Sequence, residues 1–197
     1  MPLPAVQPLR RAVLGALTIA AALAWLPSMA QDAAPRVKLT TSMGDIVLEL
    51  HADKAPRTVE NFLQYVKDKH YEGTVFHRVI DGFMIQGGGF GADMQQKATR
   101  APVPLEVSGG LKNNRGTIAM ARTSNPNSAT AQFFINLVDN ANLNPPQPDG
   151  HGYAVFGKVV SGMDVVDKIR AVPTGNRGPF QNVPQTPITI LKATLEK

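Results

Sequence analysis

The fold of this chain is decided by the stretch Phe76-His77-Arg78-Val79-Ile80-Asp81-Gly82-Phe83-Met84-Ile85-Gln86-Gly87-Gly88. It places one arginine and one glutamine among large apolar side chains. Side chains alternate between the two faces of a strand, so a strand here turns Phe76, Arg78 and Ile80 to one face. An arginine between two large apolar residues is either ion-paired, at a rim, or part of a binding groove.

Short strands and few helices are predicted around this stretch. Residues 37–41 and 46–50 alternate in polarity around a turn, which is typical of a hairpin. Pro56 opens a helix that ends near residues 70–73. Its apolar positions follow helical spacing: Val59, Phe62, Leu63 and Val66. A second helix is predicted at residues 164–169. Further strands are predicted at residues 74–80, 83–86, 117–121, 133–137, 153–160 and 188–195.

Long loops rich in Gly, Pro and Asn separate these elements, at residues 87–116 and 138–152. Many short strands with few helices indicate a mainly β protein, a closed β-barrel with helices at its ends. The sequence shows no internal repeat and no linker, so one domain is predicted.

The first thirty residues have the pattern of an export signal. Arg10 and Arg11 precede an apolar run at residues 12–26, which is shorter than the roughly 20 residues of a spanning helix. Small residues at Ser28 and Ala30 predict a signal peptide, residues 1–30, that is cleaved after Ala30. The mature domain, residues 31–197, is then expected in the periplasm without a stable membrane anchor. The alternative is an uncleaved signal anchor.

Charge and cysteine content narrow the function classes. Without Arg10 and Arg11 the chain holds 18 basic and 15 acidic residues, a net charge of +3. The basic residues are scattered, so no nucleic-acid partner is predicted. The chain has no cysteine, which excludes disulfides and thiol chemistry.

No conventional reactive constellation occurs. The four histidines lack metal-ligand spacing, so neither a metal nor another cofactor is predicted. Residues 87–92 satisfy the G-x-G-x-x-A pattern of dinucleotide sites, and Glu106 follows. Pro102 and Pro104 exclude the helix that this motif requires, so the glycines are interpreted as a tightly turning loop.

Four ordered segments resemble the cyclophilin family of peptidyl-prolyl cis–trans isomerases: residues 76–88, 116–121, 128–135 and 155–159. The resemblance covers essentially the whole mature chain, and the leader and residues 139–143 are most similar to the bacterial periplasmic branch. It implies an eight-stranded antiparallel β-barrel closed by two α-helices, with a substrate groove on its outer surface. The implied activity is X–Pro isomerisation during the folding of exported proteins, whose proline-containing segments are the implied partners.

The resemblance assigns roles to eleven residues. Arg78 is the catalytic residue, which donates a hydrogen bond to the prolyl nitrogen of the twisted amide. The positions of the proline pocket are Phe83, Met84, Phe134 and Leu143. The polar, strand-edge and aromatic-wall positions of the groove are Gln86, Gln132, Ala121, Arg122, Thr123 and Tyr153. His77 is interpreted as structural, because alternation turns it to the opposite face from Arg78.

Three positions depart from the family's usual residues. Asn142 stands where eukaryotic members have tryptophan, so weak cyclosporin binding is expected. Arg122 replaces an asparagine whose contacts are made by the main chain, and Tyr153 replaces a histidine. We expect activity to survive all three changes.

Two other functions remain open from the sequence. One is a binding module that holds proline-containing segments without turning them over, and the other is a structural protein of the cell envelope. No additional apolar stripe indicates a partner subunit, so a monomer is expected.

Overall fold

The computed structural model describes residues 1–2 and 34–196. The cleavage site after Ala30 and nearly all of the predicted leader lie outside the described residues. None of the described helices has the length and apolar character needed to cross a membrane.

The described residues form ten strands, two α-helices and one 3₁₀ turn. The strands are β1 (Arg36–Thr41), β2 (Gly44–Leu50), β3 (Thr74–Ile80), β4 (Met84–Gly91), β5 (Thr117–Met120), β6 (Phe133–Asn136), β7 (Val155–Ser161), β8 (Thr174–Arg177), β9 (Phe180–Pro184) and β10 (Ile190–Glu196). The helices are α1 (Pro56–Lys67) and α2 (Met163–Arg170), and the 3₁₀ turn is Ala141–Leu143.

Eight strands form one antiparallel sheet in the order β10-β1-β2-β7-β5-β6-β4-β3, which confirms the prediction of a mainly β fold with two helices. The prediction of a closed barrel is not confirmed, because β10 and β3 are the edges of an open ladder. The two edges approach each other near the first residues of β3 and β10. Gly73 N–H donates to Ile190 O at 2.8 Å, and Val75 forms an isolated bridge with Thr189.

The main core lies between the sheet and the two helices, α1 and α2. Phe62 projects from α1, and its ring centroid lies 5.1 Å from those of both Tyr71 and Phe156. The Tyr71 hydroxyl donates to Ala131 O at 3.0 Å, so its polar end is satisfied although the residue is fully buried. Aromatic pairs at such separations stabilise a core beyond their buried area.

A distant carboxylate caps the first turn of α1. Ala55 stands at the N-cap and supplies no side-chain oxygen. The Glu106 carboxylate instead accepts from the backbone N–H of Thr58 at 2.8 Å and of Arg57 at 3.2 Å. The unpaired N–H groups of a helix N-terminus favour such an anion. Glu106, which follows the glycine pattern in sequence, therefore has a structural partner in the helix.

The glycines at residues 87–91 lie in β4, so their interpretation as a loop is wrong. Gly88 has φ +84°, and a Cβ there would lie 2.9 Å from ring carbons of both Tyr71 and Phe133. Glycine is required because it adopts positive φ and leaves room for these rings.

Most other predicted elements occur with small shifts in their ends. The hairpin β1–β2 and the start of α1 at Pro56 are confirmed. Helix α1 ends at Lys67, slightly before the predicted residues 70–73. The β8–β9 hairpin and the 3₁₀ turn were not predicted, because they are short and have no regular apolar spacing.

Candidate functional site

Strands β3 and β4 place Arg78 beside Gln86. The two residues are direct partners in the antiparallel ladder, and the register shifts between Phe76 and Arg78. Phe76 belongs to the main core, whereas Ile80 packs against a second, smaller apolar cluster. The prediction that Phe76 shares a face with Arg78 is therefore wrong, because the irregularity interrupts the simple alternation.

A chain of hydrogen bonds connects the polar side chains of the site. Arg78 Nη1 donates to Gln86 Oε1 at 3.3 Å, and Gln86 Nε2 donates to Gln132 Oε1 at 2.9 Å. Among residues 34–196, Arg78 makes this one side-chain hydrogen bond and no ion pair. These hydrogen bonds orient the side-chain amides of Gln86 and Gln132. The remaining N–H groups of Arg78 have no protein acceptor among residues 34–196.

A hollow of about 220 Å³ lies next to these hydrogen-bonded side chains, and we call it the apolar hollow because most of its lining residues are apolar. Its most deeply buried walls are Met84, Phe134 and Leu143, which are 2%, 5% and 7% exposed. Phe83 and Tyr153 are half-buried and pack against the same cluster. The Tyr153 ring meets the Phe134 ring edge-on, with centroids 5.6 Å apart.

A second hollow of about 350 Å³, lined mainly by polar residues, adjoins the first, and the two share Gln86, Ala121 and Arg122. Thr123 and Gln132 line the second hollow. The structure thus brings all eleven candidate residues into one continuous groove, although they are spread from Arg78 to Tyr153 in sequence.

The Arg122 side chain is only 1% exposed, although the residue as a whole is half-buried. Its guanidinium donates to Gly152 O, to Thr123 O and to the carboxylate of Asp149. The hydrogen bond from Arg122 is the main cause that lowers the pKa of Asp149 to about 2. The main chain of Arg122 remains accessible, while its side chain is buried and hydrogen-bonded to other groups of the protein.

Buried asparagines, which sequence reasoning missed, support the apolar hollow from behind. Asn140 Nδ2 donates to Phe83 O at 2.9 Å and to Asn136 Oδ1 at 2.7 Å. Asn113 Nδ2 donates to Leu143 O at 3.1 Å. These bonds anchor two walls of the hollow, Phe83 and Leu143. Sequence spacing gave no signal for them, because the bonds to Phe83 and Leu143 join residues 57 and 30 positions apart.

His77 lies outside the groove and is buried beside Phe90, with ring centroids 4.7 Å apart. Burial is the main cause that lowers the pKa of His77 to about 4, and the positive charge of Arg78 acts in the same direction. His77 is therefore neutral at physiological pH.

Across the described residues, no group of three or more His, Cys, Asp or Glu side chains is arranged to hold a metal ion. What the groove provides is one partly buried guanidinium, two oriented amides and an adjacent apolar hollow. The chemistry of this arrangement is suited to a ligand that has one apolar ring next to hydrogen-bonding groups.

Comparisons with known proteins agree on one family. A family model described as cyclophilin type peptidyl-prolyl cis-trans isomerase/CLD matches residues 36–195. The chain is 54% identical over 188 residues to a peptidyl-prolyl cis-trans isomerase A of Dickeya dadantii, covering 95% of this chain and 98% of the relative. It is 55% identical over 163 residues to a peptidyl-prolyl cis-trans isomerase B of Escherichia coli, covering 82% and 99%.

Solved structures give the same result. A cyclophilin type peptidyl-prolyl cis-trans isomerase of Cryptosporidium parvum, crystallised in the presence of the dipeptide Ala-Pro, superposes with a TM-score of 0.71 at 27% identity. The match covers 82% of this chain and 99% of that one. The chain belongs to the cyclophilin family and is a peptidyl-prolyl cis–trans isomerase, which confirms the resemblance seen in the sequence.

Proposed function

We propose that this isomerase acts on proline-containing segments of exported polypeptides, which bind along the groove, and that Arg78 stabilises the twisted X–Pro amide. The observation that carries the proposal is the state of the two groove arginines. Arg122 donates to three protein groups and is buried, whereas Arg78 donates to Gln86 alone among the described residues. Of the two, Arg78 has N–H groups available for a substrate.

The chemistry of the reaction explains why a hydrogen-bond donor is enough to catalyse it. The barrier to rotation, ~18–20 kcal/mol, arises from amide resonance that is lost when the bond twists. No covalent bond is made or broken, so the enzyme must bind the twisted amide better than either planar form. In the twisted state the prolyl nitrogen regains a localised lone pair. A guanidinium N–H then donates to this lone pair, and the interaction is absent in the planar state.

The shape of the groove supports the orientation of the substrate. The 220 Å³ hollow suits a single ring, because pockets for drug-sized ligands measure roughly 300–1,000 Å³. With the proline ring against Met84 and Phe134, the prolyl nitrogen faces Arg78 at the rim. The Gln86–Gln132 pair and the accessible main chain of residues 121–123 then bind the backbone of the peptide.

The proline ligand also has support from a relative. The Cryptosporidium parvum structure was obtained in the presence of the dipeptide Ala-Pro, and its fold matches this chain. We extend that ligand class to this protein as part of the proposal, and the contacts with backbone and ring predict broad tolerance of the flanking residues.

Export is the less direct part of the proposal. It rests on the leader pattern of residues 1–30 and on the Dickeya dadantii match, which covers 95% of the chain and so extends into those residues. Clients would then be unfolded proteins of the same compartment. Asn142 is exposed at the rim in the 3₁₀ turn, and weak cyclosporin binding remains our expectation there.

The test is the rate of isomerisation of a short X–Pro peptide by the wild type, Arg78→Ala and Arg78→Lys. We expect Arg78→Ala to lower kcat/KM by about 10²-fold or more, because it removes a donor aimed at the transition state. Arg78→Lys should recover part of the loss, since it restores the charge without the planar fork.

Arg100→Ala is the control, because Arg100 is an exposed arginine that lines neither hollow. Its activity should match the wild type. A folded Arg78→Ala enzyme with full activity would contradict the role of Arg78. A wild type that binds the peptide without accelerating its isomerisation would instead identify a binding module.

A further inference from the structure

Arg122 has the most completely satisfied side chain in the groove. Its Nε and one terminal nitrogen both donate to Gly152 O, at 3.0 and 2.8 Å. The same terminal nitrogen donates to Asp149 Oδ1 at 2.8 Å, and the other donates to Thr123 O at 2.9 Å. Burying a guanidinium is unfavourable unless it is paired and hydrogen-bonded, so this geometry has to be retained.

The same guanidinium covers the ring of Tyr153. The Arg122 Cζ lies 4.4 Å from the ring centroid, within the range of a cation–π contact. The same ring also contacts Phe134, which meets it edge-on. Tyr153 therefore contacts both a buried cation and one wall of the apolar hollow.

Arg122 also holds the end of the loop that forms this side of the groove. Tyr153 N–H donates to Leu143 O at 3.0 Å, so the two pocket residues close the loop on itself. Gly152, which accepts two bonds from Arg122, has φ +74° and would bring a Cβ within 2.6 Å of Pro145. The loop is therefore closely packed at Gly152, and the Arg122 guanidinium is hydrogen-bonded to the carbonyl of that residue.

We infer that Arg122 is a positioning residue, whose guanidinium holds residues 143–153 so that Tyr153 and Leu143 take the positions that shape the proline hollow. The inference rests on the proposed use of this groove by substrate. It assigns a role to the side chain at a position where the sequence indicated a role for the main chain alone. Arg122 acts through Tyr153 and Leu143 and does not contact the reacting amide.

The first experiment separates binding from turnover in Arg122→Lys. Lysine keeps the charge but has one nitrogen, so it cannot serve Gly152, Thr123 and Asp149 together. The ring pocket binds planar and twisted proline alike, so its distortion should raise KM by about tenfold while kcat changes by less than about twofold. A variant that is merely less stable would lose active protein and leave KM unchanged.

A second readout follows Tyr153 directly. The chain has three tyrosines, so a fluorotyrosine-labelled protein gives few ¹⁹F resonances, and Tyr153→Phe assigns the one of interest. In Arg122→Lys we expect the Tyr153 resonance to shift and broaden, while those of the core residues Tyr65 and Tyr71 stay in place. This readout requires no activity, so it tests the positioning role even if the wild type proves not to turn over the peptide.

Two further variants complete the design. Asp149→Asn, at an exposed residue, removes one charged partner of Arg122 and should move the Tyr153 resonance and KM in the same direction by a smaller amount. Arg115→Lys is the matched control, because Arg115 also binds a backbone carbonyl and a carboxylate, those of Leu137 and Asp167, outside the groove. Wild-type values of KM and of the Tyr153 resonance in folded Arg122→Lys would overturn the inference.

Discussion

Arg78 and Arg122 carry the same guanidinium, but their surroundings give them different tasks. Among the described residues the Arg78 side chain has one amide partner, and in the proposed function its remaining donors bind the substrate. Arg122 is enclosed by backbone carbonyls, a carboxylate and an aromatic ring, so its N–H groups donate hydrogen bonds within the protein. The family motif was enough to single out Arg78. The role of the Arg122 side chain became visible only from its contacts.

His77, next to Arg78 in the chain, is expected to make stability depend on pH. Its pKa is about 4 in the folded protein, against 6.5 without burial. Between these values the unfolded chain binds a proton that the folded protein does not, so the free energy of unfolding falls as the pH falls. The stabilisation is complete above about pH 6.5 and lost toward pH 4.

The measurement is urea unfolding of the wild type and His77→Gln at two pH values. From pH 7.5 to pH 5 we expect the wild type to lose about 2 kcal/mol through His77, and the variant to lose much less. Burial also lowers the pKa of His70, so the free energy of unfolding of His77→Gln should still fall slightly as the pH falls. His151→Gln, at an exposed histidine, should keep the wild-type slope. An unchanged slope in His77→Gln would contradict the assignment.

At the scale of elements, the local sequence pattern predicts where a helix begins, whereas contacts between distant residues complete the helices and strands. Helix α1 was predicted from its apolar spacing and from Pro56, and it begins there. Its N-terminus is completed by Glu106, which lies 48 residues from Thr58 and has no helical spacing to reveal it. Strand β4 likewise continues through glycines that resemble a loop, because Gly87 pairs with both β3 and β6 and Gly91 pairs with β3.

The cap on α1 gives a prediction at this scale. Glu106→Ala removes the acceptor for two N–H groups of the first turn and should lower the free energy of unfolding by about 1–2 kcal/mol. Denaturant unfolding measures the change. Glu60→Ala, at an exposed position on the same helix, is the control and should stay within about 0.5 kcal/mol of the wild type. Equal losses in the two variants would show that the contact does not cap the helix.

At the scale of the whole molecule, the sheet brings distant segments into one groove. Arg78 and Gln86 come from β3 and β4, Ala121 follows β5, Gln132 precedes β6, and Tyr153 precedes β7. The ladder order β7-β5-β6-β4-β3 makes these segments neighbours. The groove therefore depends on the pairing of strands and not on any one motif.

Processing of the leader is a prediction for the whole chain. Mass spectrometry of the exported protein should place its N-terminus at Gln31. Because Trp25 is the one tryptophan in the sequence, the emission spectrum of the mature protein should show tyrosine without tryptophan. Ala30→Leu, which removes a small residue that signal peptidase requires, should retain Trp25 and its emission. A mature wild type that still contains Trp25 would support the uncleaved anchor.

The sequence by itself determined the family, the activity and the mainly β fold with two helices, and it named residues that line the groove. These follow from ordered motifs and from spacings of two and of about 3.6 residues, which are local properties of the chain. Tertiary structure alone decided that the eight-stranded ladder is open, that Gly88 lies in a strand, and that Glu106 caps α1. It also decided that the Arg122 side chain is buried against Tyr153. Each of these depends on contacts between residues far apart in sequence, and such contacts leave no periodic signal in the chain.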